Sequence, residues 1–155
     1  MDLPPAPDRS PEMDAYATAP RAAESEIPGR LTGIFVSAAE DADRVVFDFG
    51  KGNSLPSYEV EYVDRLVLGE DEVIPLEGGA ALRVTFSRSS PGQDGMTAED
   101  VPTNQSYDGA SVRQVLLAEN LAGTLVFGIG VTEELEFRVG TAPDSGQLTL
   151  ELRHP

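Results

Sequence analysis

The sequence contains no cysteine, no tryptophan and a single histidine among its 155 residues. The absence of cysteine excludes disulfides, a thiolate nucleophile and zinc sites built from thiolates. Basic residues are also scarce, with 11 Lys and Arg against 27 Asp and Glu, so the formal net charge is −16. Such a charge repels phosphate backbones and argues against nucleic acid as a partner. No run of 18 apolar residues is present, so the sequence predicts no membrane-spanning helix.

The first 30 residues differ in composition from the rest of the chain. They carry six of the 12 prolines together with many acids and alanines, and their few larger apolar residues follow no period. A segment of this kind cannot bury enough apolar surface to offset the entropy of ordering it. We therefore predict a disordered tether over residues 1–29, ahead of one folded domain over residues 30–155. Deletion of residues 1–28 is expected to leave the thermal stability almost unchanged.

From Leu31 onward, apolar and polar residues alternate in short runs that turn residues separate. Period 2 is typical of half-buried strands, and its recurrence predicts an all-β fold, an antiparallel sandwich or barrel. The runs are residues 31–36, 44–49, 57–63, 82–86, 124–131, 135–139 and 148–152. Residues 111–120 carry apolar residues at spacings that fit either a helix or a strand, and the surrounding pattern favours a strand.

Few residues of this sequence are suited to catalysis. The single histidine, His154, stands one residue from the end, and no Gly-x-Ser-x-Gly turn is present. A set of nucleophile, base and orienting acid cannot be assembled around it, so we expect no enzyme activity and an ordinary surface position for His154. Gly128-Ile129-Gly130 lacks the helix and lysine of a phosphate-binding loop. Glycines in a strand instead allow another chain segment to approach closely.

Acidic residues cluster in three predicted loops, at residues 40–43, 70–72 and 133–136. Calcium needs several oxygens that converge at about 2.3–2.6 Å, and none of the clusters has the spacing of an EF-hand loop. Solvated loop carboxylates are the simpler interpretation in a chain of this charge. We therefore predict no metal site and no cofactor, while Ca²⁺ binding by the acidic loops stays an open alternative.

The polar segment over residues 88–110 is the best candidate for ligand binding. Loops of this length are usually functional or disordered, and this one holds most of the uncharged hydrogen-bonding side chains. Tyr107 could stack on a sugar ring, with Asn104 and Gln105 as hydrogen-bonding neighbours. The alternative is that Tyr107 folds back over an open end of the sandwich.

Several of these runs resemble the AMIN-like domains of actinobacterial lipoproteins. The similarity rests on Arg44-Val45-Val46-Phe47-Asp48-Phe49 and Tyr58-Glu59-Val60-Glu61-Tyr62-Val63, followed in order by residues 123–130, 137–139 and 148–155. It covers about residues 30–155. One element departs from the family, because residues 143–147 read Pro-Asp-Ser-Gly-Gln where a Pro-Ser-Arg element usually precedes the last strand. No role of that arginine carries over to this chain.

The resemblance implies a β-sandwich held at the extracellular face of the cell membrane by a lipidated cysteine upstream of this sequence. The implied function is non-enzymatic binding or scaffolding at the cell wall, with peptidoglycan or an envelope protein as the partner. A protein–protein interaction module without a glycan ligand is the alternative, and a hydrolase is a more distant one. The membrane would be reached only through the lipid anchor.

Overall fold

The computed structural model describes residues 12–13, 15–24, 29–31, 33–49, 55–68, 72–87, 89–91, 104–121, 124–142 and 146–155. The strands are β1 (Glu12–Met13), β2 (Arg21–Ala23), β3 (Gly29–Leu31), β4 (Gly33–Ala38), β5 (Ala42–Asp48), β6 (Ser57–Val63), β7 (Leu66–Leu68), β8 (Glu72–Ile74), β9 (Ala80–Ser87), β10 (Ser89–Pro91), β11 (Asn104–Ser106), β12 (Val112–Leu121), β13 (Thr124–Val131), β14 (Phe137–Ala142) and β15 (Gln147–Arg153). Within these ranges no helix is found that could cross a membrane.

Two antiparallel sheets form a sandwich. The five-stranded sheet has the order β1-β14-β15-β5-β4, and the six-stranded sheet has the order β11-β12-β13-β9-β6-β2. The apolar side chains of the alternating runs meet between the two sheets. Phe47 of β5 lies against Phe86 and Phe127 of the opposite sheet, with ring centroids 5.1 and 5.4 Å away. The all-β, antiparallel prediction is confirmed.

The segment with mixed spacing forms β12, which pairs along its length with β13. Register shifts between Val112 and Gln114 and between Leu117 and Glu119 break the alternation of this strand. These irregularities explain why its apolar residues fitted a helix as well as a strand. The prediction of a strand here is confirmed.

A small hairpin of β7 and β8 lies over the outer face of the six-stranded sheet, and residues 75–79 continue from it. A Cβ atom added at Gly128 would lie 2.5 Å from Leu66 Cδ2 and 3.0 Å from Leu76 Cδ1. At Gly130, the carbonyl oxygen of Glu77 occupies the place that a Cβ atom would need. The close approach predicted for these glycines is confirmed. We call β7, β8 and residues 75–79 the hairpin segment.

Part of the N-terminal region lies along the sandwich. β1 pairs with β14, Ala17 and Phe137 exchange two backbone hydrogen bonds of 2.9 Å, and β2 pairs with β6. These residues, 12–13 and 15–24, therefore connect an edge of one sheet with an edge of the other, and we call them the strap. The expectation of a tether over residues 1–29 did not include this contact. Residues 1–11 lie outside the described residues.

The strap docks without an apolar stripe, which is why its sequence pattern did not predict the contact. Besides the backbone pairing, the guanidinium of Arg138 lies over the ring of Tyr16, 4.5 Å from the ring centroid. Arg21 lies 5.4 Å from the ring centroid of Phe137 and donates to the carbonyl oxygens of Ala15 and Ala19. Edge pairing and cation–π contacts thus hold a segment that lacks hydrophobic periodicity.

Candidate functional site

The structure places the single histidine near an aspartate and a serine. His154 Nε2 lies 2.9 Å from Asp43 Oδ1, and Asp43 Oδ2 accepts hydrogen bonds from the backbone N–H groups of Ser111 and Val112 at 2.7 and 2.9 Å. The hydroxyl of Ser111 donates instead to the carbonyl oxygen of Arg153 at 2.7 Å. Because this buried hydroxyl is not bonded to the imidazole, the three side chains do not have the arrangement of a catalytic triad.

Asp43 acts as a structural anchor. Its carboxylate is almost fully buried, with 1% of the side chain exposed, and its bonds join β5, the start of β12 and the carboxyl-terminal residues. A buried carboxylate of this kind needs several donors to replace its hydration. His154 contributes to this set of hydrogen bonds through Nε2, and its side chain is only partly exposed. The expectation of an ordinary surface histidine is therefore corrected.

The acidic clusters do not converge in the described part of the chain. No group of three or more histidine, aspartate and glutamate side chains there is arranged to hold a metal ion. In the first cluster Glu40 and Asp41 are exposed while Asp43 turns inward. Glu136 of the third cluster pairs with Arg153 at 2.8 Å. The side chains of residues 70–72 lie outside the described residues.

The three predicted ligand residues lie at one edge of the six-stranded sheet. Asn104 and Gln105 belong to the edge strand β11, and both side chains are exposed. Tyr107 follows the strand, and its half-buried ring packs against the hydrophobic core. Burial raises the pKa of the Tyr107 phenol. Both amides are therefore exposed at the sheet edge, Asn104 on the face of Leu116 and Gln105 on the face of Val115, and the ring of Tyr107 packs against the core.

A buried glutamine connects Asn104 with the hairpin segment. Gln114 Nε2 donates to Asn104 Oδ1 at 2.7 Å, and Gln114 Oε1 accepts from the backbone N–H of Glu77 at 2.8 Å. Because both ends of its amide are bonded, Gln114 fixes the position of the hairpin segment relative to the edge strand. Sequence reasoning missed this residue, whose single signal is a polar side chain inside the apolar stretch of β12.

A cleft of about 180 Å³ opens beside the hairpin segment. Leu66, Ile74 and Leu76 contribute apolar side chains to its lining, together with small residues at the start of β9. Asp64 and Arg65 also line the cleft, and both side chains are exposed. The cleft therefore combines an apolar floor with one charge of each sign at its rim.

Comparison with known protein families assigns the chain to a family. The family model of the AMIN-like domain matches residues 29–154. The chain belongs to the AMIN-like family. No curated protein and no solved structure matches it. AMIN-like domains are generally non-catalytic binding modules, so this AMIN-like chain is assigned to the cell wall or envelope as a module of that kind.

Two polar features of this AMIN-like domain therefore stand on one outer face. One is Asn104 on the edge strand β11, which shares the outer face of the sheet with Leu116 while Gln105 is exposed on the opposite face beside Val115, and the other is the cleft with Arg65 at its rim. The hydrogen bonds of Gln114 connect them, since Glu77 lies between two lining residues of the cleft. We call this surface the outer-face site.

Proposed function

We propose that this AMIN-like domain binds peptidoglycan without catalysis, with its glycan contacts made by the edge strand of the outer-face site. The observation that supports the proposal is the pair of exposed amides at Asn104 and Gln105 on an edge strand. An amide side chain presents a carbonyl acceptor and two N–H donors, which suits the hydroxyl and acetamido groups of a sugar. Neutral groups are also the contacts that a chain of net charge −16 tolerates best.

Tyr107 takes a supporting part in this proposal. Its backbone N–H donates to the carbonyl oxygen of Arg113 at 2.9 Å, and its ring packs on the core below the strand. The residue therefore holds the end of β11 in place, and it is only half-buried, so it can still contribute to a sugar contact. A substitution by alanine would remove core contacts together with any ligand contact, so phenylalanine is the informative replacement.

The proposal includes the placement of the domain in the cell. We infer that the domain, over about residues 30–155, is held at the extracellular face of the membrane by a lipid anchor upstream of this sequence. The residues ahead of the strap would serve as the spacer. This arrangement keeps the acidic domain away from anionic lipid and close to the wall.

Co-sedimentation with purified sacculi tests the function. We expect the parent to sediment with sacculi and Gln105→Ala to sediment clearly less, while Ser106→Ala, on the same exposed strand, behaves like the parent. Tyr107→Phe should retain binding. Hydrogen bonds to neutral sugars depend little on ionic strength, so 0.5 M NaCl should change binding to glycan strands without peptides only slightly. Equal binding of Gln105→Ala and the parent, or no sedimentation of the parent, contradicts the proposal.

The alternative function, binding of an envelope protein, is favoured by a different observation. Phe35 lies on β4, the edge strand of the five-stranded sheet, and 56% of its surface is exposed. β4 carries no charged residue, and edge strands without charges lack a common protection against pairing with another chain. Under this alternative, Phe35→Ser abolishes capture of an envelope protein and Gln105→Ala does not. The reverse result supports the glycan function.

A further inference from the structure

We propose that the cleft of the outer-face site binds the peptide stem of peptidoglycan, and that Arg65 receives the free carboxylate of the stem. The inference rests on the proposed function, because it names a second part of the same cell-wall ligand. It concerns a different set of side chains from the amides of the edge strand, so the two can be tested separately.

The size and lining of the cleft restrict what it can hold. At about 180 Å³ it is smaller than the roughly 300–1,000 Å³ of pockets that enclose drug-sized ligands. Its leucine and isoleucine side chains offer methyl groups for apolar contact and no hydrogen-bonding partners of their own. One or two small apolar side chains fit both the size and the lining, and the alanine methyl groups of a peptide stem are of that kind.

Arg65 supplies the second requirement, a cation that has no partner among the described residues. Five other arginines with described side chains are engaged: Arg21 with backbone carbonyls, Arg44 and Arg138 with Glu151, Arg83 with Glu61, and Arg153 with Glu136. The side chain of Arg113 forms no hydrogen bond or ion pair among the described residues either, but it does not line the cleft. Arg65 makes no hydrogen bond, ion pair or ring contact within the described part of the chain. A guanidinium group is suited to bind a carboxylate through two parallel hydrogen bonds.

The net charge of the chain disfavours ligands that carry several negative charges. The chain carries a net charge of −16, so a ligand with several carboxylates would be repelled. A peptide that ends in one carboxylate avoids this cost and can pair with Arg65. Asp64, exposed at the same cleft and without an ion-pair partner among the described residues, is placed to attract the free amine that a stem also carries.

One wall of the cleft is fixed by backbone contacts with the end of β13, which favours binding of a small ligand. Gly78 has a φ of 104°, a conformation that favours glycine, and a Cβ atom there would collide with the backbone of Val131. Gly79 donates its N–H to the carbonyl oxygens of Val131 and Thr132 at 2.8 and 3.1 Å. Because this wall is already ordered, little entropy is lost when a ligand binds.

An NMR titration with N-acetyl-D-alanyl-D-alanine tests the inference, since this probe has two methyl side chains and one free carboxylate. We expect chemical-shift changes at the backbone amides of Gly78 and Gly79. The carboxamide form of the probe should bind roughly fivefold more weakly, as loss of one partly exposed ion pair predicts. Arg65→Gln should weaken binding of the carboxylate form to the same level. Arg113→Gln, an exposed arginine away from the cleft, is the matched control and should bind like the parent.

Four results would overturn the inference. They are no binding of the probe, equal affinity for the carboxylate and carboxamide forms, unchanged affinity of Arg65→Gln, and equal or tighter binding of the L-alanyl-L-alanine form. The last result would assign the cleft to protein carboxyl termini. Arg65 is exposed, so its replacement should leave the thermal unfolding temperature unchanged, and this measurement verifies the fold of the variant.

Sedimentation with stripped glycan separates this inference from the proposed function. Glycan strands from which the peptides have been removed should still bind the parent and Arg65→Gln equally. If stripped glycan binds and the dipeptide does not, the stem inference fails and the glycan function stands. If the dipeptide binds and stripped glycan does not, the glycan contacts of the edge strand are refuted while the cleft assignment stands.

Discussion

The hydroxyl of Tyr16 donates a hydrogen bond to the carboxylate of Glu151, 3.3 Å away and 135 residues later in the chain. The other oxygen of this buried carboxylate accepts from Arg44 Nε at 2.8 Å, and Arg138 Nε donates to the first oxygen at 2.8 Å. The strap therefore covers a cluster formed by the buried carboxylate of Glu151, the buried guanidinium of Arg44 and the partly exposed guanidinium of Arg138. Its removal should affect the stability of the whole domain.

Deletion of residues 1–24 should lower the unfolding free energy by about 2 kcal/mol or more, through loss of edge pairing and of the Tyr16 contacts. For a domain of this size, that corresponds to a decrease of roughly 4–8 °C in Tm. Deletion of residues 1–11 is the control, since it keeps the strap, and should change Tm little. Calorimetry of both truncations provides the comparison. Equal Tm values for the parent and the longer truncation would show that the strap adds no stability.

The buried cluster should also make stability depend on pH. Burial raises the pKa of Glu151, but the hydrogen bonds and charges of Arg138 and Arg44 outweigh this effect, so the pKa lies below its ordinary value of 4.5. The unfolded chain therefore takes up this proton at higher pH than the folded chain. The stabilisation is complete above pH 4.5 and is lost as the pH falls through the folded pKa.

Urea unfolding at several pH values should show this loss, and Arg138→Gln should reduce its size because one of the two cations is removed. Glu151→Gln should have the larger effect, because it removes the carboxylate itself. It leaves Arg44 buried opposite a neutral amide, so we expect a loss of about 3–5 kcal/mol at neutral pH. Identical pH dependence of the parent and Arg138→Gln below pH 4.5 would contradict the assignment.

The two glycines of β13 should differ in their tolerance of alanine. At Gly130 the new methyl group meets the backbone of Glu77, which cannot move without shifting the hairpin segment. At Gly128 it meets the ends of Leu66 and Leu76, which can change rotamer. We expect Gly130→Ala to cost roughly 2–3 kcal/mol and Gly128→Ala clearly less, as measured by chemical denaturation. The opposite ranking would mean that the hairpin segment adapts more readily than the leucine side chains.

We expect no amidase, esterase or glycosidase turnover from this chain, with or without added Zn²⁺. Ser111 and His154 are committed to structural hydrogen bonds, so Asp43→Asn should lower stability by about 1–3 kcal/mol and reveal no change in activity assays. Assays with chromogenic esters and with sacculi provide the measurement. Turnover by the parent that disappears in Ser111→Ala or His154→Ala would refute this prediction.

The fold could be predicted from the sequence because each strand carries its own evidence. Val45 and Phe47 point inward and Asp48 points outward within one short run, so the burial of each follows from period 2 without knowledge of any other segment. The same reasoning identified Leu148 and Leu150 in the last strand. The glycines of β13 were likewise interpretable, because a missing side chain in a buried strand indicates a close neighbour.

Contacts between distant polar residues could not be predicted in this way. Gln114 and Glu77 are 37 residues apart, and nothing in the pattern of either segment indicates the other. The strap is a similar case, since Ala17 pairs through its backbone and any residue except proline could do so. For the candidate ligand residues, the sequence identified the exposed amides, but the orientation of the Tyr107 ring depends on the core beneath it.

The strap also determines which part of the domain first bears a mechanical force applied from the envelope. β1 pairs with β14, which in turn pairs with the last strand, β15, so both ends of the folded chain are held by the same sheet. In the tethered arrangement proposed above, a load applied upstream of Glu12 acts first on this sheet. It reaches the six-stranded sheet only after β1 and the Ala17 bridge have separated. Tension would thus be relieved by peeling of the strap before it distorts the face that carries Asn104 and the cleft.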